Sequence, residues 1–164
     1  AKIIYFYEIY ALLGTIIALV GHTKQIFGNM TLKITLTLGD NKRFTLTDGR
    51  RVEQLNPKEL LLYAAANCAG LTIIGMLKEH ITTLRLLELS LEGTLSTPTV
   101  VAESRFTSFN IIYRAECQTL KDETTISRAI NLAHDKYCGL LQMLRKIAPL
   151  SHEVSIVATN DIKA

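Results

Sequence analysis

Over Thr31–Leu38, polar and apolar residues alternate with a period of two, the pattern of a half-buried strand. Gly39-Asp40-Asn41-Lys42 is turn chemistry, and residues 43–47 read as the returning strand of a hairpin. Asp48-Gly49 marks a second turn. Asn56-Pro57 then opens a helix: Asn is a good N-cap, Pro suits the first helical position, and Glu59 falls at the third, where it completes a capping box. The run at residues 60–71 is apolar nearly all round, which predicts a core helix ending near Lys78-Glu79-His80.

Residues 84–94 alternate again, with Leu87, Leu89 and Leu91 on one face. Thr97-Pro98-Thr99 interrupts, and Phe106–Cys117 carries Phe109, Ile111 and Tyr113 in strand register. Asp122 is expected to cap a helix with its apolar stripe at Ile126, Ile130, Ala133 and Tyr137. The stripe continues through Leu140, Leu141, Leu144 and Ile147, with a break at Gly139 allowed for, and Pro149 ends it. Residues 153–158 make a last strand. Strands and helices are thus segregated rather than repeated as crossover units, so the pattern predicts an α+β fold.

Residues 3–20 stand apart. They are apolar except for Glu8, and the run is about long enough to span a bilayer, where Glu8 would be costly. Three readings stay open: a membrane anchor, an extra helix packed on the domain or across a dimer, or sequence upstream of a natural start at Met30. The expected division is an apolar extension, residues 1–29, and one domain, residues 30–164.

Charge changes little. The net charge is +3 and the basic residues are scattered, without the basic stripe and aromatic partners of a nucleic-acid surface. Three cysteines are too few, and odd in number, for a secreted disulfide scaffold; they fit a reducing, cytoplasmic setting with one or two functional thiols. His22, His80, His134 and His152 form no zinc-ligand spacing with them, so no metal and no bound cofactor are expected. Cys68 sits where the helix has no hydrophilic stripe; it is either a small buried hydrophobe or a thiol with a task. Cys138, after His134-Asp135-Lys136-Tyr137 and before Gly139, falls at the first turn of a helix. Free N–H groups there, with Lys136, would lower its pKa; the alternative is a passive thiol on an inner helix face. Cys117 reads as passive.

Two segments carry a resemblance. Residues 56–68, Asn-Pro-Lys-Glu-Leu-Leu-Leu-Tyr-Ala-Ala-Ala-Asn-Cys, resemble the helix start that leads to the reactive Cys in the OsmC family of thiol-dependent hydroperoxide reductases. Residues 133–138, followed by Met143-Leu144, resemble that family's Lys-Tyr-Cys segment. The resemblance implies antiparallel sheets curved around two central Cys-bearing helices, in an intertwined homodimer with its sites at the dimer interface. It also implies that Cys68 attacks an organic hydroperoxide to become a sulfenic acid, and that Cys138 resolves it as a disulfide. An external dithiol, lipoyl in the best-known members, would then reduce that disulfide.

The same resemblance implies an Arg from the amino-terminal hairpin beside the reactive thiol, steadied by a Glu near the start of the Cys helix. Arg43 is the first candidate for the Arg, with Arg50 and Arg51 behind it. The family's Glu position holds Lys58, which points to a less-characterised branch; Glu59 is the neighbouring carboxylate, about 180° around the helix from Cys68. The rival expectation is a non-catalytic protein of the same fold that binds a small apolar ligand or senses redox state.

Overall fold

The computed structural model describes residues 28–159, without the side chains of 79–81. The apolar run at residues 3–20 and His22 lie outside this range, as does the side chain of His80. β1 (Thr31–Leu38) forms where the alternation predicts it and buries Leu32, Ile34 and Leu36. It turns back into β2 (Phe44–Leu46), with Leu38 opposite Phe44. In the turn, Lys42 adopts φ 59°, and the Asn41 side chain accepts from the Arg43 N–H at 3.0 Å. Gly49, with φ 75°, makes the second turn. A short 3-10 turn (Val52–Gln54) follows.

α1 (Pro57–Leu77) starts with the predicted reciprocal cap. Asn56 Oδ1 accepts from the N–H groups of Lys58 (2.9 Å) and Glu59 (3.0 Å), and Glu59 Oε2 accepts from the Asn56 N–H (3.0 Å). This satisfies donors that a helix start otherwise leaves without partners. Leu62, Ala65, Ala66, Ala69, Ile73 and Leu77 pack down onto β1 and β3. Small residues let the helix lie close. A Cβ at Gly70 would come 2.5 Å from the Phe44 ring, and one at Gly93 would come 2.4 Å from the Phe106 ring.

β3 (Leu84–Leu95) and β4 (Phe106–Cys117) form the long central pair, with Leu89 opposite Tyr113 and Leu91 opposite Ile111. Leu87, Leu89, Leu91, Ile111, Tyr113 and Ala115 are all buried. α2 (Leu120–Leu132) begins one turn earlier than the sequence suggests. Thr119 is the cap, and Asp122 sits at the third helical position, where its carboxylate returns a bond to the Thr119 N–H. A π-turn (Ala133–Tyr137) leads to α3 (Gly139–Ile147), and β5 (Leu150–Ala158) closes the chain's last pairing.

The five strands stand in the order β2-β1-β3-β4-β5. The α+β reading therefore holds, with helices and strands segregated. The sheet is antiparallel except for its last pair: β5 runs parallel to β4, with Ile111 opposite His152. A parallel neighbour needs a long crossover, and here α2, the π-turn and α3 supply it.

Candidate thiol site

Cys68 lies mid-way along α1, half-buried, and its carbonyl accepts from Thr72 Oγ1 at 2.8 Å. The sequence suggests a helix closed on every side, but one face is open in the single chain. Leu61, Ala64, Leu71 and Gly75 are exposed around Cys68, spaced three or four residues apart, so they form one stripe along the helix. The stripe is apolar, which is why periodicity gave no warning of it.

Cys138 reaches the same place by a less regular route. Its N–H bonds to the carbonyl of Ala133, five residues back, at 2.9 Å. That one extra residue per turn shifts the phase of the helix. An unbroken helix would continue Ile126, Ile130 and Ala133 into Tyr137; instead Tyr137 is 54% exposed and Cys138 is fully buried. Ile147, also expected on the inner stripe, is exposed at the end of α3, whereas Leu141 and Leu144 face inward. The result is that the Cys138 thiol lies beside that of Cys68, near enough for Cys68 to raise its pKa. The two are free thiols 70 residues apart in sequence.

The electrostatics of Cys138 correct the sequence reading. Burial pushes its pKa up to about 11. The N–H groups of Leu141 and Leu140, at the start of α3, pull the other way, but desolvation outweighs them, and contact with Cys68 raises it further. Lys136 is directed elsewhere, with Nζ 5.3 Å from the centre of the Tyr137 ring.

Arg43 is exposed, at the mouth of the β1–β2 turn. The guanidinium tied to the α1 carboxylate is that of Arg50. Its Nη1 donates to Glu59 Oε1 at 2.9 Å and its Nε to Asp48 Oδ2 at 2.7 Å. Glu59 thus serves both the helix cap and an ion pair, on the side of α1 away from Cys68. Lys58 donates to the Val101 carbonyl at 2.9 Å. Cys117, at the end of β4, is buried.

No pattern along the chain points to the polar group behind Cys138. His134, inside the π-turn, is 1% exposed, and its Nδ1 shares a hydrogen bond of 3.1 Å with the hydroxyl of the fully buried Tyr113. Its ring stacks on that of His152 from β5, 4.0 Å between centres. Burial, with His152 and Arg145 nearby, lowers the His134 pKa to about 4, so its ring is neutral at pH 7 and Nδ1 can accept from Tyr113. Burial, together with the nearby Cys138, holds the Tyr113 hydroxyl protonated. The His134 carbonyl accepts from Gln142 Nε2 at 3.0 Å and Arg145 Nη2 at 3.1 Å. The only hint available was that a histidine, an aspartate and a lysine follow one another where an apolar stripe should continue.

A groove of about 560 Å³ runs between the end of α1 and α2, walled by Met76, Leu77, Ala129 and Leu132. Thr125, Arg128 and Tyr137 complete its lining, which includes neither Cys68 nor Cys138. Among the described residues, no group of three His, Cys, Asp or Glu side chains is placed to hold a metal ion.

Comparison with known families places the chain that carries this arrangement. The family model described as OsmC-like protein matches residues 48–153. The chain belongs to that family. Protein YhfA of Escherichia coli (strain K12) is 28% identical over 114 residues, covering 69% of this chain and 82% of that protein. The protein of the same name from Shigella flexneri gives the same figures. Among solved structures, the OsmC-like protein from Mycoplasma pneumoniae superposes with a TM-score of 0.50 at 17% identity, covering 79% of this chain and 97% of the other. That likeness speaks to the fold alone. Both cysteine-bearing segments of this OsmC-like chain fall inside the matched residues.

Proposed function

We propose that this OsmC-like protein reduces organic hydroperoxides through its thiols, using Cys68 as the peroxidatic residue and Cys138 as the resolving one. The observation that carries the reading is the proximity of the two thiols, 70 residues apart in sequence yet near enough for Cys68 to raise the pKa of Cys138, as a pair that is to form a disulfide must be. Membership of the family supports a peroxide-related redox role. In the first step the Cys68 sulfur attacks the distal peroxide oxygen, the O–O bond breaks, and the alcohol leaves with a proton. In the second, Cys138 supplies the electron pair of the new S–S bond, the S–O bond breaks, and water departs. An external dithiol, of which a lipoyl group is one example, then takes the disulfide's place in the oxidised state.

The exposed apolar residues around Cys68 on α1 favour a greasy substrate over hydrogen peroxide. The open apolar stripe around Cys68 suits a second copy of the chain, so the working form in this reading is a homodimer in the cytoplasm with its thiols at the interface. Arg43 and Arg50 are the candidate cations, the second already oriented by Glu59. The test is peroxide consumption by purified protein with cumene hydroperoxide and a dithiol. Loss of turnover in Cys68→Ser supports the proposal, and equal rates in wild type and Cys68→Ser reject it.

A second reading has one observation behind it. A resolving thiol pushed up to about pKa 11 is a slow nucleophile at neutral pH, as in a sensor that registers oxidation without fast turnover. Single-turnover disulfide formation that is stoichiometric, with negligible steady-state rate under saturating dithiol, would favour it.

A further inference from the structure

His134 is joined to three of the elements around Cys138. Its ring bonds to Tyr113 on β4 and stacks on His152 of β5, while its carbonyl receives two donors from α3. It lies within the π-turn whose extra residue points Cys138, rather than Tyr137, toward Cys68. A π-turn is rarer and less regular than the α-helix it interrupts, and it persists only where its surroundings hold it. No large apolar side chain in this turn does so: Asp135, Lys136 and Tyr137 are all exposed, leaving the small Ala133 and His134 as its buried residues. Apart from an exposed ion pair between Asp135 and Arg145 at 3.5 Å, the polar contacts that tie this turn to its neighbours converge on the His134 side chain and its own carbonyl.

We propose that His134, held by the Tyr113 hydroxyl, is a positioning residue for the Cys138 thiol, and that it acts on disulfide formation without acting on the oxidation of Cys68. This rests on the thiol chemistry proposed above. The step concerned is the second one: Cys138 sulfur must meet the Cys68 sulfenic sulfur in line with the breaking S–O bond, with its proton leaving in the water formed. A displacement of about 1 Å costs such a step on the order of a hundredfold. Cys68 itself stands on a regular helix fixed by its own backbone, so its attack on peroxide does not depend on the π-turn.

Tyr113→Phe removes one hydroxyl and keeps the ring, its T-shaped contact with His134 and the core volume; His134→Ala removes the anchor entirely. Rapid mixing of each with cumene hydroperoxide, with dimedone to trap sulfenic acid and mass spectrometry to count disulfide, separates the steps. Sulfenate formation at Cys68 is expected within about twofold of wild type in Tyr113→Phe, while disulfide formation slows by about tenfold or more and trapped sulfenate accumulates. His134→Ala should show the larger slowing. Wild-type disulfide rates in Tyr113→Phe overturn the proposal. So does a fall in both steps together, which a merely structural role would give. A parallel series uses diamide, which takes up the two electrons and two protons of the dithiol without any peroxide. If wild type forms the disulfide with diamide but not with hydroperoxide, the peroxidase reading fails on its own. The comparison of variants under diamide then still decides the role of His134, slower closure supporting it and equal rates overturning it.

Discussion

The two thiols meet, yet the segments that bring them together are built on opposite terms. Cys68 rides on a regular helix, one face packed on the sheet through alanines and a glycine, the other face apolar and open. Cys138 sits at the end of an irregular turn, fully buried, behind which His134 is hydrogen-bonded to Tyr113 and Arg145 and stacked on His152. The first segment gets its shape from periodicity and capping, so its backbone needs little from the rest of the fold. The second needs the sheet and α3 to hold a phase that local preference does not favour. Access follows the same division. The thiol on the regular helix can meet a substrate, and the one in the turn can meet chiefly its partner.

The largest expected effect breaks the pair itself. Cys68→Ser should abolish hydroperoxide turnover, a loss of about a thousandfold or more when the nucleophile is removed. Cys138→Ser should stop after one equivalent, with dimedone-reactive sulfenic acid at Cys68 counted by mass spectrometry. Two variants that behave identically would mean that the thiols do not divide the labour as their surroundings suggest. In wild type, the high pKa of Cys138 gives disulfide formation a rate that climbs with pH, by close to tenfold per unit from pH 8 to 10, readable by stopped flow.

The second effect concerns the polar turn. His134 is held neutral, with its pKa lowered to about 4 against an ordinary 6.5. Between those values the unfolded chain binds a proton that the folded chain refuses, so stability falls as pH drops from 6.5 toward 4 and is unaffected above that window. The groups facing His134 are Tyr113 from β4, His152 from β5, Arg145 from α3 and Asp135 within the turn; only Asp135 favours the protonated form. The loss should amount to about 2–3 kcal/mol, measured as urea midpoints at pH 4.5 and 7. Tyr113→Phe should keep most of this slope, because the ring stays buried. His134→Gln should remove it, and a slope unchanged in His134→Gln would assign the acid sensitivity to other groups.

How far each segment could be read from sequence follows the same contrast. Strand alternation, the Asn56-Pro57-Lys58-Glu59 cap and the apolar helix run are signals of neighbouring residues, and they placed β1, α1, β3 and β4 within a residue or so. The π-turn is a competition between one extra residue and contacts from strands far along the chain, so Tyr137 was assigned inward when it faces out. The same distance effect hid the parallel pairing of β5, which depends on a crossover rather than on the strand's own pattern. Charge partners were the least legible. Arg43 looked best by hairpin position, whereas the turn at Asp48-Gly49 delivers Arg50 to Glu59. Local helix geometry argued that the N-terminal thiol would be acidic; burial, which sequence states only through the fold, reversed the sign.

A third change tests the packed face of α1. Gly70→Ala adds a methyl 2.5 Å from the Phe44 ring, itself 6% exposed between helix and sheet. Helix preference for Ala returns about 1 kcal/mol, but overpacking costs roughly 1–3, so a net loss of about 1 kcal/mol in urea unfolding is expected. If Gly70→Ala is stabilised instead, the Phe44 ring yields easily, and the regular segment is less firmly seated than the contrast with the π-turn supposes.

The smallest effect is also the sharpest probe of what activates Cys68. Glu59→Gln keeps an acceptor for the Asn56 N–H and removes the charge that holds Arg50, in a pair where Glu59 is 13% and Arg50 35% exposed. Stability should fall by no more than about 1 kcal/mol. Within one chain Glu59 lies on the side of α1 away from Cys68, so kcat/KM for cumene hydroperoxide should drop less than about tenfold, a barrier change below about 1.4 kcal/mol. A much larger drop with stability unchanged would contradict that local geometry. It would require the Arg50–Glu59 pair to act across an interface, on the thiol of a second copy seated against the open stripe. Sedimentation of the same variant separates the two explanations, since loss of the dimer and loss of an activating cation within an intact dimer predict different masses at the same low activity.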